Sequence, residues 1–97
     1  MEALPDERRL VEQAKSGDSE VFAQLYDASL ERMYRYIFFR VSVQQTAEDL
    51  TSQVFIKAWE KLAQYQPRGS FMAGLYAIAR NTVIDHYRMR RQVAMRA

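Results

Sequence analysis

Residues that break helices are scarce in this sequence: three glycines and two prolines are spread over 97 residues. Few breakers mean few turns, and few turns mean long elements, which favours helices. The length fits one small domain, since domains commonly hold roughly 100–200 residues. The chain has no cysteine, so disulfides, thiolate zinc sites and cysteine nucleophiles are excluded. We therefore expect residues 1–97 to form a single helical domain.

Apolar residues recur at steps of three and four along four segments, which is the spacing of one helix face. The predicted helices run from about Asp6 to Lys15, from Ser19 to Val41, from Thr46 to near Gln64, and from Phe71 to beyond Met89. No run of residues alternates in the way a strand does. The predicted fold is all-α, a compact bundle of three long helices and one short N-terminal helix.

Each long helix has a face that is predicted to form the core. The core positions are Phe22, Leu25, Tyr26, Ser29, Met33, Ile37 and Val41 in the second helix, Ala47, Leu50, Val54, Ala58 and Leu62 in the third, and Phe71, Leu75, Ile78, Ala79, Thr82 and His86 in the fourth. Side chains that can cap helices precede them: Asp18 or Ser19 before the second and Ser70 before the fourth. Residues 46–49, TAED, resemble a capping box at the start of the third.

Charge is distributed unevenly along the chain. Residues 1–67 carry eight Lys and Arg against eleven Asp and Glu, whereas residues 68–97 carry six Arg against the single acid Asp85. A basic C-terminal third suggests a polyanionic partner, with nucleic acid ahead of a membrane surface. The alternative is a solvated helix end, because Arg near a helix C-terminus is favoured by the helix dipole.

The sequence offers few groups for catalysis, which needs a positioned acid, base, nucleophile or metal. His86 is the only histidine, and a histidine without a second ligand nearby is a poor metal site. Glu48 and Asp49 are adjacent, so their side chains point apart on a helix, and we interpret them as first-turn acids that face the dipole. We expect neither an enzyme nor a metal or other cofactor.

Nothing in the sequence resembles a membrane or export segment. The longest strongly apolar cluster is residues 37–39, IFF, far short of the ~20 residues that span a bilayer. The acidic N-terminal stretch is unlike a signal peptide. We expect a cytoplasmic protein without membrane contact.

The outward face of the third helix carries a polar stripe with one apolar residue in its middle. Its members are Asp49, Ser52, Gln53, Ile56 and Glu60. A single exposed Ile is normal on a protein surface. An Ile surrounded by short polar groups is also typical of a patch that docks on a partner helix.

A second feature spans the segment before the fourth helix and that helix itself. Its aromatic residues are Tyr65, Phe71 and Tyr76, its basic residues are Arg68, Arg80 and Arg88, and its amide is Asn81. Aromatic rings interleaved with Arg suit single-stranded nucleic acid, because bases stack on rings while Arg meets phosphate. The alternative is that the aromatic residues are core and the arginines form a solvated face.

Two motifs in this order resemble region 2 of the extracytoplasmic-function (ECF) sigma factors of bacterial RNA polymerase. They are residues 47–62, AEDLTSQVFIKAWEKL, and residues 71–91, FMAGLYAIARNTVIDHYRMRR. The earlier segment, residues 16–41, is similar in kind and length to the preceding helix of the family. The resemblance covers about residues 8–91 and implies a helical domain that assists transcription initiation.

The resemblance also implies partners and site residues. The matching core-polymerase positions, which would dock on the clamp helices of the largest subunit, are Asp49, Ser52, Gln53 and Ile56. The matching DNA positions, which would meet the non-template strand of the promoter minus-ten element, are Tyr65, Arg68, Ile78, Arg80, Asn81, Arg88 and Arg91. Of these, Tyr65, Ile78 and Asn81 would form a pocket for a flipped base. An anti-sigma factor is a further possible partner.

This sequence departs from the family pattern at three points. Ser52 and Gln53 stand where the family usually has Gln and Glu, and Gly74 stands where it usually has Trp. The chain ends at Ala97, whereas a whole ECF sigma factor continues into region 4, so we expect either an isolated region 2 or a piece of a longer protein. Two alternatives stay open: a helical protein-interaction module without DNA recognition, and a duplex-binding regulator with a recognition helix.

Overall fold

The computed structural model describes residues 7–62 and 70–96 of the chain. Its helices are α1 (Glu7–Lys15), α2 (Ser19–Val41), α3 (Gln44–Lys61) and α4 (Phe71–Arg96). Neither described range contains a strand, and the predicted all-α bundle of one short and three long helices is confirmed. The bounds of α2 agree with the sequence prediction. The predicted first residue of α1, Asp6, and the predicted end of α3 near Gln64 lie outside the described residues.

The turn between α1 and α2 depends on one glycine and one cap. Gly17 adopts a φ of 102°, in the left-handed region that favours glycine. Asp18 is the N-cap of α2, and its Oδ1 accepts hydrogen bonds from the backbone N–H groups of Glu20 and Val21 at 3.1 and 3.2 Å. The predicted Asp18 cap is therefore confirmed.

The start of α3 differs from the prediction. Ser42 takes a left-handed φ of 60° and donates its N–H to the carbonyl of Phe38 at 2.8 Å. The chain reverses there, Val43 becomes an N-cap without a side-chain bond, and α3 begins two residues earlier than expected, at Gln44. Thr46 already lies in the first turn, so the predicted capping box is wrong.

The earlier start of α3 also corrects the prediction that Glu48 and Asp49 are first-turn acids that face the helix dipole. The first turn of α3 contains no acidic residue, so Glu48 and Asp49 lie beyond the reach of its free N–H groups. Glu48 instead accepts a hydrogen bond from the side-chain amide of Gln44 at 2.9 Å.

The core lies between α2, α3 and α4, with α1 packed on α2. All five predicted core positions of α3 are buried, and Phe55 and Thr51 are buried beside them. In α2 the central positions Leu25, Met33 and Ile37 are fully buried. The prediction is thus confirmed throughout α3 and at the centre of α2, because a period of 3.6 residues assigns a side to each position. Phe22, Tyr26 and Val41 of α2 are only half-buried.

The face of α4 is less uniformly buried than predicted. Four of its six predicted core positions are buried, whereas Ile78 and His86 are only half-buried, and Met72 and Val83 are buried in addition. Residues 88–96 are exposed throughout. The last turns of α4 therefore present nearly their whole circumference to solvent.

The beginning of α4 is held by two side chains. Ser70 Oγ accepts from the N–H of Ala73 at 3.1 Å, which confirms the predicted cap. Glu7 Oε1 of α1 accepts from the N–H of Phe71 at 2.8 Å, across 64 residues of sequence. This bond joins the first residue of α1 to the first residue of α4.

Among the described residues, no helix combines the length and apolar character needed to cross a membrane.

Candidate functional site

The outer face of α3 gathers the predicted polar stripe on one surface. Asp49, Ser52, Gln53, Ile56 and Glu60 are all exposed. Ile56 is 58% exposed, a large value for an apolar side chain on a helix whose opposite side builds core. The predicted stripe therefore lies on one surface, and Ile56 is not a core residue.

An aromatic groove adjoins this stripe and was missed in the sequence analysis. Phe22 packs on Trp59 with ring centroids 4.8 Å apart, and Tyr26 packs on Phe55 at 4.6 Å. The groove has a volume of about 400 Å³ and is lined by Phe22, Tyr26, Ser52, Phe55, Ile56, Trp59 and Glu60. A signal was present, because each helix contributes two aromatic residues four positions apart, the spacing of neighbours on a helix face.

The predicted DNA positions are only partly brought together. Ile78 is half-buried on the first half of α4, and Arg80 and Asn81 are exposed just beyond it. Arg88 and Arg91 are exposed near the end of the same helix. Arg91 is three helical turns from Arg80, or about 16 Å at 1.5 Å per residue. The cations thus form a row along α4 and not a cluster.

Two of the predicted DNA positions, Tyr65 and Arg68, lie outside the described residues. The aromatic residues Phe71 and Tyr76 of the same predicted feature are described. Phe71 is buried in the core, and Tyr76 packs on Tyr36 with ring centroids 5.1 Å apart. Phe71 is therefore a core residue, and the Tyr76 ring packs on Tyr36 of α2.

A cavity of about 290 Å³ lies between the last turns of α3 and the first turns of α4. The described residues that line it are Ala58, Lys61, Leu62, Phe71, Gly74, Leu75 and Ile78. We call it the α3–α4 cavity. The described part of its wall is apolar apart from the Lys61 amine, and Gly74 contributes no side chain to it. Among the described lining residues, Ile78 is the predicted DNA position.

A hydrogen-bonded link connects α3 and α4 one turn beyond the cavity. Lys57 Nζ donates to Thr82 Oγ1 at 3.2 Å, and Thr82 Oγ1 donates to the carbonyl of Ile78 at 2.8 Å. Thr82 is buried and Lys57 is half-buried. Thr82 was predicted as a core residue, but periodicity could not reveal its partner Lys57, because the two residues are 25 positions apart.

Comparison with known proteins assigns this chain and its fold to a class. The family described as Sigma-70 region 2 matches residues 25–93, which include most of α2, all of α3 and nearly all of α4. The chain belongs to that family, in its ECF branch, as the two sequence motifs predicted.

Particular relatives agree with this assignment. The chain is 43% identical over 83 residues to the ECF RNA polymerase sigma factor BldN of Streptomyces coelicolor, covering 84% of this chain and 31% of BldN. It is 27% identical over 84 residues to the ECF RNA polymerase sigma factor SigW of Bacillus subtilis, covering 87% of this chain and 45% of SigW. The chain thus spans a third to a half of the length of these relatives.

A solved structure shares the fold. It is a structure of an RsbN–BldN complex, which superposes with a TM-score of 0.73 at 42% sequence identity. The match covers 89% of this chain and 63% of that chain.

Proposed function

We propose that this domain acts in transcription initiation, by binding core RNA polymerase and by capturing the non-template strand of the promoter minus-ten element. One observation carries the proposal. Two surfaces of different chemistry, the outer face of α3 and the basic row with the α3–α4 cavity, occur together on the helices that match the sigma family.

The outer face of α3 is suited to a protein partner. A polar rim around an exposed apolar residue is the arrangement found in interfaces, where a few buried apolar contacts supply most of the binding energy. Ile56 occupies the centre, and Asp49 and Gln53 stand on the rim. The aromatic groove extends this surface toward α2 through Trp59, which is 39% exposed. We assign it to the clamp helices of the largest polymerase subunit.

The α4 surface is suited to a single strand. Arg80, Arg88 and Arg91 would meet phosphates along the row, and Asn81 would read a base edge through its amide. Extruding a base costs a few kcal/mol of unstacking, which contacts in a pocket must offset. The cavity beside Ile78 supplies apolar walls for such contacts. Tyr65 and Arg68 complete the proposed site.

Within this proposal the domain binds and positions but performs no bond chemistry, and it uses no cofactor. A protein that covers one of its surfaces would regulate it. The structural relative is a complex of BldN with RsbN, and we include an anti-sigma factor among the proposed partners of this chain on that analogy.

The polymerase contact is tested with a double variant, Asp49→Arg/Ile56→Glu. Affinity for bacterial core RNA polymerase, measured by fluorescence anisotropy of the labelled domain, should fall at least about 30-fold, the loss typical of an interface hot spot of about 2 kcal/mol. The matched control, Asp27→Arg/Phe39→Glu, makes the same changes of charge at exposed positions of α2 and should bind like the parent. Equal losses in both variants, or no binding by the parent at micromolar concentration, would contradict the assignment.

The DNA contact is tested by comparing single-stranded and duplex oligonucleotides over a range of salt concentrations. The single strand should bind more tightly. In the Arg88→Ala/Arg91→Ala variant the slope of log affinity against log salt should decrease by about 0.7 for each phosphate contact removed. Equal binding of single strand and duplex would argue against strand capture, and binding of neither would favour the protein-interaction module.

A further inference from the structure

We infer that the exposed last turns of α4 dock a helix of a partner protein, and that this helix is amphipathic, with an apolar stripe flanked by acidic residues. The docking surface consists of Met89 and Val93 with Arg90 and Arg96 on either side, and we call it the α4 terminal stripe. The inference goes beyond the proposed function and does not depend on it, because it follows from the chemistry of the helix end alone.

The α4 terminal stripe continues the core-forming face of its own helix. Positions that alternate at steps of four and three lie on one side of a helix, and on α4 they include 75, 79, 82, 86, 89 and 93. Leu75, Ala79 and Thr82 are buried on this side, whereas Met89 and Val93 are each 65% exposed. A core-type face therefore extends beyond the point at which the described helices cover it.

The end of α4 gains little packing from the rest of the bundle. Residues 88–96 are all exposed. Helices in proteins take most of their stability from packing an apolar face, and an isolated helix shorter than about 12–15 residues is marginal in water. A partner that covered the stripe would remove two large apolar side chains from water and stabilise these last turns.

A groove beside the stripe gives the partner a place to lie. It has a volume of about 560 Å³, and the described residues that line it are Gln53, His86, Met89, Arg90, Val93 and Ala94. Gln53 belongs to α3, so the groove lies where the two helices meet. A helix running along α4 can insert its apolar side chains there, and the flexible side chain of Met89 can adjust to their shape.

Two arginines define the charge of the partner. At about 100° per residue, Arg90 lies about 80° to one side of the stripe and Arg96 about 40° to the other. Neither guanidinium forms an ion pair within the described part of the chain, whereas Arg88 pairs with Asp85 at 3.8 Å. Glu or Asp on both flanks of the partner's apolar stripe would pair with them, as charges beside the seam of a coiled coil do.

Other occupants fit the α4 terminal stripe less well. A second copy of the chain would bring Arg90 and Arg96 against the same arginines, and like charges repel. Single-stranded nucleic acid is held by basic groups together with aromatic rings on which its bases stack, but the apolar members of the stripe are Met and Val. A protein helix with acidic flanks matches both the apolar and the charged part of the surface.

The test uses the whole chain and three designed peptides, each about three heptads long and labelled with fluorescein. The first has Leu at the two apolar positions of each heptad, Glu at the positions beside them and Ala elsewhere. The second has Lys in place of Glu, and the third has Ser in place of Leu. In fluorescence anisotropy at physiological salt, the first peptide should bind at least about tenfold more tightly than either of the others. Equal binding of the three, or binding of none at micromolar concentration, would overturn the inference.

Paired substitutions then assign the binding to the stripe. Met89→Ala/Val93→Ala should weaken binding of the first peptide at least about tenfold, because it removes the apolar contacts at the centre of the surface. The matched control, Ile84→Ala/Met95→Ala, truncates two exposed apolar side chains on the opposite side of the same helix and should bind like the parent. Equal losses in both variants would mean that the peptide lies elsewhere, contrary to the inference.

A charge reversal tests the acidic flanks. Arg90→Glu/Arg96→Glu should bind the Lys peptide more tightly than the Glu peptide, because both flanking charges of the stripe are reversed. Arg8→Glu/Arg9→Glu makes the same change in net charge at exposed positions of α1 and should keep the preference of the parent. An unchanged preference in the first variant would rule out the proposed pairing.

A measurement on the parent requires no folded variant. In a chain labelled with carbon-13 at the methionine methyl groups, the Met89 signal should shift when the first peptide is added. The Met95 signal should not, because that side chain is 80% exposed on the other side of the helix. Self-association of the parent through Met89 and Val93 would assign the stripe to a second copy, and displacement of the peptide from these residues by oligothymidylate would assign it to nucleic acid. Either result would contradict the inference.

Discussion

The outer face of α3 and the cavity side of α4 differ in the chemistry of their side chains. On α3 an exposed Ile56 stands beside a groove of packed aromatic rings, with acids and amides around it. On α4 the exposed groups include a row of arginines, which lies beside a cavity. The helix α3 serves both, because consecutive residues point to different sides: Ile56 faces outward, whereas Lys57 and Ala58 face α4.

This difference should separate the two surfaces in solution. Contacts made by arginine with phosphate weaken steeply as salt rises, because bound counterions are released when DNA is neutralised. Contacts made by apolar and aromatic groups depend little on salt. Under the proposed function, one domain would hold two macromolecules by forces that respond differently to the same conditions. Four changes to the chain test that separation.

The substitution Leu25→Ala should weaken both surfaces at once, because it damages the core that both surfaces share. Leu25 is fully buried in α2, and truncating a buried Leu costs about 2–5 kcal/mol of unfolding free energy. Urea unfolding followed by circular dichroism measures the loss, and both binding activities should fall together. Gln24→Ala, at the exposed neighbouring position, is the control. Unchanged stability in Leu25→Ala would show that the described core is wrong.

The substitution Trp59→Ala should weaken the α3 surface alone. It removes the ring that packs on Phe22 and lines the aromatic groove, and affinity for core polymerase should fall about tenfold, a loss of about 1.4 kcal/mol. Single-strand DNA affinity should stay within twofold of the parent. Phe39→Ala removes another exposed aromatic group, 75% exposed on α2, and should leave both activities intact. An equal decrease in DNA affinity would mean that the two surfaces are not separate.

A double-mutant cycle on Lys57 and Thr82 examines the link between the two surfaces. Thr82→Val removes the oxygen that accepts from Lys57 Nζ, and we expect a loss of about 0.5–1.5 kcal/mol in unfolding free energy. Lys57→Met should cost a similar amount. The double variant should lose clearly less than the two single losses added together, because neither partner is then left unpaired. Strictly additive losses would show that the bond contributes nothing.

The substitution Glu31→Gln should change almost nothing. Glu31 Oε1 pairs with Arg35 Nη2 at 2.7 Å on α2, but the side chains are 83% and 61% exposed. Exposed ion pairs at this spacing contribute about 0.3–0.5 kcal/mol, so unfolding free energy should change by at most about 0.5 kcal/mol. Both binding activities should match the parent. A larger effect on either would place that surface on α2, away from where we assign it.

The sequence anticipated what depends on local spacing. The bounds of α2, the buried face of α3 and the caps at Asp18 and Ser70 follow from a helical period and from side chains adjacent to the backbone they bind. The polar stripe of α3 follows from the same period. The start of α3 was predicted two residues too late because it depends on a left-handed Ser42. Nothing in the local sequence indicates that conformation.

The tertiary structure alone decided how the helices meet. Glu7 reaches Phe71 across 64 residues, and Lys57 reaches Thr82 across 25. The aromatic groove and the α3–α4 cavity likewise exist only because two helices lie at a particular distance and rotation. Periodicity assigns each residue a side of its own helix, but it does not say which side chain of another helix stands opposite. Local spacing thus specifies the helices and their buried faces, and the order of residues carries the family motifs. Packing between helices that are distant in sequence sets the shape of both candidate surfaces.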